Sequence, residues 1–366
     1  MRSCLLACLL LSSTAACAAP RSLGIVAPAG ESTIAYDINA SGQVAAVLEN
    51  EDGRQRGVLF ENGKLIELGL PDGSFSDARG INDKGEIIGT ATNTDGRLSA
   101  FVYDRVRGPR LLGTLGGPSS QGMALNQRGD AVGFADTASG EWHAFVYNGT
   151  AQLKDLGTLG GKVSYANAIN NGGQIAGTAS ISNENRHAFR YDPSQGMIDL
   201  GTLGGVASSA MAINDAGVVA GAAQTKEGRW HAFVHDGQRM VDLGALIGRG
   251  NSFATGINRA GHVVGTIQLG DDERMSFVWR DNKMSVHRGG HSLYVVNTVN
   301  NADLMVGATY FHKMTAATML SSDAPVQAKQ GAVKLIYLPA LVLLLAGAAV
   351  VYTKRYRGMS FGRRLG

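Results

Sequence analysis

The sequence predicts an all-β fold: a repeat-built β-propeller of about seven four-stranded blades, closed by an N-terminal strand, with one C-terminal transmembrane helix added. Three recurring words predict it. DLGTLGG occurs at residues 155–161 and again at 199–205, and LGTLGG at 112–117; Leu112, Leu156 and Leu200 are 44 residues apart. AIN-x-x-G follows each full copy, and its asparagine returns in looser copies, giving Asn39, Asn82, Asn126, Asn170, Asn214, Asn258 and Asn300. HAF stands at 143–145, 187–189 and 231–233, with degenerate forms ending in Phe60, Phe101, Phe277 and Met319. Long words in fixed order and phase mean one supersecondary unit copied along the chain.

Each copy holds four short strand-like runs. In the fourth they span 165–169, 174–179, 187–191 and 197–201, separated by Asn-Asn-Gly-Gly, Asn-Glu-Asn and Pro-Ser-Gln-Gly. Those separators are turn chemistry, and no helical period is sustained before residue 332. Four strands in roughly 40–45 residues is the size of a propeller blade. The seventh copy lacks a DLG strand, whereas Ser22-Leu23-Gly24 precedes the first AIN-type strand. Residues 22–26 are therefore expected to complete the last blade, removing a free sheet edge.

The copies fill residues 19–323. Before them, residues 1–18 read as a signal peptide: Arg2, an apolar run at 5–11, then small residues before a cut after Ala18. Acylation of Cys17 is the competing reading. After the array come a polar linker (324–334), an uncharged run at 335–352 at the short end for a membrane-spanning helix, with Pro339 near its outer end, and a basic tail (353–366). By the positive-inside rule the tail is cytoplasmic. The repeat domain is then extracytoplasmic, periplasmic or at the cell surface, on a single-pass anchor.

Cys4, Cys8 and Cys17, the chain's three cysteines, all lie in the leader, which excludes thiol chemistry and disulfides from the array. The net charge of +3 comes from the ends: one basic residue in the leader and six after residue 331 leave 26 basic against 30 acidic residues between them. A net of −4 there argues against a nucleic-acid partner, which needs a basic face.

The words HAF-x-Y, DLGTLGG and AIN-x-x-G-x-V-x-G resemble the HAF-family extracellular repeats of bacteria, over about residues 21–323. The resemblance implies export and a surface-facing repeat domain, and it assigns no catalytic residue. Proteins with such repeats often end in a sorting tail; the apolar run and basic cluster fit one, but its Pro-Glu-Pro motif is absent.

Candidate chemistry is sparse. His143, His187 and His231 recur with the repeat, and a hydrogen bond to a neighbouring turn or to the Asp of DLG (Asp155, Asp199, Asp242) explains them better than a metal or acid–base cluster around the axis does. Ser76, Ser120, Ser164, Ser208 and Ser252 also recur, and a set of equivalent nucleophiles makes no mechanistic sense; they read as hydroxyls satisfying backbone groups between blades. The TLGG words lack the pattern of a phosphate cradle. The turns after the second strand vary between copies and are rich in oxygen ligands: Asn50, Asp52, Asn93, Asp95, Asp271 and Asp272. They suit calcium, against the plainer reading as turn residues, and no cofactor is expected otherwise.

The function expected from the sequence is a non-enzymatic, membrane-anchored scaffold whose variable turns bind a polysaccharide or a surface protein. The alternatives are a propeller glycosidase or lyase, which needs two carboxylates at defined separation, and a purely structural or adhesive surface protein.

Overall fold

The computed structural model describes residues 31–70, 75–149, 152–270, 273–287, 295–311 and 314–321. Every sheet in it is antiparallel with strands paired in chain order. Six are four-stranded blades spanning 32–67, 76–111, 116–155, 160–199, 204–242 and 251–287; a three-stranded sheet spans 295–321. The fold is an all-β propeller. Of the about seven four-stranded blades expected, six are four-stranded among the described residues, and the last sheet has three described strands. The proposed closing strand at 22–26, the leader and the run at 335–352 lie outside the described residues. No helix among the described residues is long and apolar enough to cross a membrane.

One blade shows why the repeat has its spelling. The fourth has strands Gly160–Ile169, Ile175–Ile181, Arg186–Asp192 and Gly196–Asp199. The innermost strand starts five residues earlier than its apolar run suggests, because the second half of TLGG already pairs with Ile181. Phe189 is fully buried, as are Phe101, Phe145, Phe233 and Phe277. Opposite Phe189 in register stands Gly177. A Cβ there would lie 2.1 Å from the Tyr165 carbonyl oxygen and 2.6 Å from the Phe189 ring, so that glycine is required by close approach. The other glycine of AIN-x-x-G, Gly173, has φ +81° in the turn, a conformation glycine adopts without steric cost.

The register also corrects the alignment at both ends. In the first blade the position facing the second-strand residue Ala46 is Val58, not Phe60; in the last sheet Gly307 faces Thr318, not Met319. Composition misled because Phe60 and Met319 are the larger apolar residues nearby. In the last copy Asp303 takes the glycine position at φ 58°, and its carboxylate accepts from Asn258 (2.7 Å).

The blades are bolted together by the repeated words themselves. His143 Nδ1 donates to the Asp155 carboxylate (2.9 Å), and Gly157 N–H donates to the same side chain (2.8 Å). In the next blade the Ser164 hydroxyl donates to the Gly157 carbonyl (2.5 Å) and accepts from Ala144 N–H (2.8 Å). The circuit His–Asp–Gly–Ser–Ala thus crosses a blade junction and returns beside its starting residue. It recurs with His187, Asp199, Gly201, Ser208 and Ala188. The same N–H-to-hydroxyl bond joins the ends of the ring, where Ala317 N–H donates to the Thr33 hydroxyl (2.7 Å).

Candidate functional site

The repeat asparagine sits at the turn between the first two strands, close to the propeller axis. Its side chain has two donors and two acceptor lone pairs, and the fold uses all four. At Asn82 the side-chain oxygen accepts from Lys84 N–H (3.1 Å) and Glu86 N–H (3.0 Å). The amide donates to the Glu86 carboxylate (2.6 Å) and to the Asn126 main-chain oxygen in the next blade (3.1 Å). That last bond runs round the whole molecule: Asn39 to Asn82, Asn82 to Asn126, Asn126 to Asn170, Asn170 to Asn214, Asn214 to Asn258, Asn258 to Asn300, and Asn300 back to Asn39. Aspartate could not donate and glutamine would not reach its own turn, so asparagine is the side chain that fits.

Around this ring opens an axial mouth of about 180 Å³. Its floor is the residue before each asparagine (Ile38, Ile81, Leu125, Ile169, Ile213, Ile257, Val299), and its rim the residue after (Ala40, Asp83, Gln127, Asn171, Asp215, Arg259, Asn301). The rim is a second inter-blade belt. Ala40 N–H donates to Asp83, Asp83 N–H to Gln127, Gln127 N–H to Asn171, Asn171 N–H to Asp215 and Arg259 N–H to Asn301, at 2.8–3.0 Å. Arg259 also pairs with Asp215 at 3.3 Å.

Further from the mouth each innermost strand carries a bulge at the same place, three residues before its asparagine: Tyr36, Arg79, Met123, Asn167, Met211, Thr255 and Asn297. A bulge re-aims one side chain out of the ladder. Here Asn167, Thr255 and Asn297 bond main-chain oxygens of the neighbouring sheet at 2.6–2.7 Å, and the Arg79 guanidinium lies 4.4 Å over the Tyr36 ring. Beside this layer is Asp37, where the other copies have Gly80, Ala124, Ala168, Ala212, Gly256 and Thr298. Burial pushes its carboxyl up to about 7, against the lowering effect of N–H donors from Ile81 and Ile38. Partial burial would raise Asp215 too, but donation from Asn171 and Arg259 outweighs it and holds that carboxyl below its ordinary value.

The variable turns lie on the opposite face, at the ends of the second and third strands. Asn50 accepts from Arg54 N–H (2.8 Å), and Asn93 from Asp95 and Arg97 N–H (3.0 and 2.9 Å), so both side chains close their own turns. Asp52 is exposed in the same turn as Asn50, and Asp95 in that of Asn93. Asp271 and Asp272 lie outside the described residues. No three His, Cys, Asp or Glu converge to hold a metal among the described residues. The repeat serines do not meet the histidines as nucleophile and base: each described hydroxyl is held by a main-chain N–H of the preceding blade, and His143, His187 and His231 face Asp155, Asp199 and Asp242. The rim and bulge residues were missed from sequence. Their signal was present as variable positions on either side of the constant Asn.

No family model and no curated protein sequence matches the chain. Solved structures do share its fold. The β-propeller domain of the Trilobed protease from Pyrococcus furiosus is similar with a TM-score of 0.56 at 12% identity, over 79% of this chain and 96% of that one. A Mycobacterium tuberculosis puromycin-hydrolyzing peptidase gives 0.57 at 12% identity, over 84% of this chain and 53% of the peptidase, so the chain spans about half its length. The BP39L lectin from Burkholderia pseudomallei gives 0.51 at 9% identity, over 80% and 96%.

The functional expectation is corrected accordingly. The two higher-scoring of these structures belong to peptidases, not to polysaccharide-binding scaffolds or glycan-cleaving enzymes. The concave site is small, lies on the face away from the variable turns, and among the described residues its lining carries no aromatic side chain. A fold that serves both peptidase propellers and a lectin assigns neither catalysis nor its absence by itself. What the likeness shows is the propeller fold.

Proposed function

We propose that this chain is a peptide-handling propeller of the kind that accompanies peptidases, taking a short extended peptide end into its axial mouth without cleaving it. The observation that carries this reading is the mouth itself. It is an open cavity of about 180 Å³ with an apolar floor and a rim of main-chain N–H, amide and carboxylate groups. Such a rim matches the alternating donors and acceptors of a peptide backbone. The volume, about six waters' worth, admits one or two residues and not a folded surface. A non-catalytic role is supported by the repeat hydroxyls, which are engaged in bolting blades together.

The sheet 295–321 is the seventh blade in this reading, and residues 22–26 add to its open edge as the fourth strand. Leu23 stands where Leu68, Leu112, Leu156 and Leu200 stand in other copies. Membership of the HAF repeat family, export by residues 1–18 and anchoring by residues 335–352 belong to the same proposal, on the strength of the sequence patterns.

Calorimetry of the purified full-length chain with N-acetyl-trialanine tests it. Binding at one site, peptide recovered intact, and loss of binding in Ala40→Trp, which caps the mouth from an exposed rim position, are the expected results. Absence of heat, or binding indifferent to Ala40→Trp, overturns the reading.

A further inference from the structure

The rim belt is complete at five junctions and open at two. Where the next rim residue carries a side-chain oxygen, the preceding main-chain N–H donates to it. Arginine has no acceptor, so Asp215 N–H, which would donate to position 259, has no rim partner. Alanine has none either, so Asn301 N–H, which would donate to position 40, is left in the same state. No hydrogen bond is formed by either N–H among the described residues. The two open donors belong to the ring neighbours of a single rim residue, Arg259, whose exposed guanidinium pairs with Asp215 at 3.3 Å.

At every closed junction the acceptor is a carboxylate or carboxamide oxygen. An incoming carboxylate would therefore supply at an open junction the same atom type the fold uses elsewhere, with the Arg259 guanidinium beside the Asp215 junction. Charge-assisted bonds of this sort are about twice as strong as neutral ones. The remaining charges on the rim set the polarity. Asp83, on the second blade three places round the ring from Arg259, disfavours a carboxylate on its own side. The Asp215 carboxylate accepts from Asn171 N–H and amide (both 3.0 Å) and from Arg259 (3.3 Å), so an incoming carboxylate would share the guanidinium with it.

We infer that the open part of the rim, Asp215 N–H, Arg259 and Asn301 N–H, is a carboxylate-binding notch that takes the C-terminal carboxylate of a peptide. This rests on the peptide-handling reading and specifies which end enters. The fold itself offers the tests: Ala40→Asn and Arg259→Asn place at the open junctions the residue that already accepts at Asn171 and Asn301.

The probes are N-acetyl-trialanine as the free acid and as the C-terminal amide, titrated into the full-length chain. The free acid is expected to bind at least tenfold more tightly than the amide. Ala40→Asn and Arg259→Asn should each remove most of that preference while melting at or above the wild-type temperature, since each fills an unmet donor. A purely structural role for these residues would not pair lost binding with retained stability. If acid and amide bind equally and the variants change nothing, the notch is refuted and peptide handling stands. If neither peptide binds the folded wild-type chain, both ideas fall.

Discussion

Replacing Asn170 with aspartate changes one NH₂ to one oxygen and tests the asparagine ring without changing its shape. Asn170 is 4% exposed, and its amide donates to the Gln174 side chain (2.9 Å) and to the Asn214 main-chain oxygen (3.0 Å). Its oxygen accepts from Gln174 N–H (2.9 Å), a bond aspartate keeps. The Gln174 amide can rotate to offer its own NH₂, so one loss is recoverable. The bond to Asn214 is not: two acceptors would face each other in a buried site. A lost neutral bond costs about 1 kcal/mol, and a stranded buried acceptor about 1–3 kcal/mol more. In sum Asn170→Asp should destabilise by about 2–4 kcal/mol at pH 8 and lower the melting temperature by roughly 4–10 °C. The effect has a sign in pH. The new carboxyl, buried against an oxygen, is raised above the ordinary aspartate value of about 3.9. Its protonated form can donate to Asn214, so the variant recovers stability as pH falls toward that ordinary value and loses it again as pH rises through the raised one. Melting curves from pH 5 to 8 for wild type, Asn170→Asp and Asn170→Ala read this directly. An Asn170→Asp chain as stable as wild type at pH 8, with no pH dependence of the difference, would show that the ring does not hold the blades.

Other expectations follow from the same structure. Asp37→Asn should flatten part of the pH profile of stability: the carboxyl is raised from 3.8 to about 7, so its contribution is full below pH 3.8 and is lost as pH approaches 7. The variant should therefore match or exceed wild type above pH 7 in urea unfolding. Phe189→Ala empties a fully buried site and should cost about 3–5 kcal/mol by chemical denaturation. Ser164→Ala removes the hydroxyl between Gly157 and Ala144 across a blade junction, leaving a buried N–H unpaired, and should cost about 1–3 kcal/mol while leaving peptide binding unchanged. Deleting residues 22–26 should lower the melting temperature if they form the outer strand of the last sheet, and an unchanged melt would remove that strand from the propeller.

Much of this architecture was legible because a propeller blade is local. Its four strands, its turn glycines and its buried phenylalanine all lie within about 44 residues, and repetition printed them three times almost unchanged. The His–Asp pairing was legible for the same reason, since His187 and Asp199 are twelve residues apart on adjacent strands. Register at the ends was not, because Val58 and Thr318 hold their places by pairing with Ala46 and Gly307 rather than by size. Nor was the mouth. Asp215, Arg259 and Asn301 lie 44 and 42 residues apart and become neighbours only when the blades close about an axis. In the chain they are three unremarked residues after an asparagine. The sequence by itself determined the unit, its phase and its strands, through short-range patterning and turn chemistry. Ring closure alone decided which face carries the concave site and which rim donors are left open, because those depend on one residue from each blade meeting its neighbour.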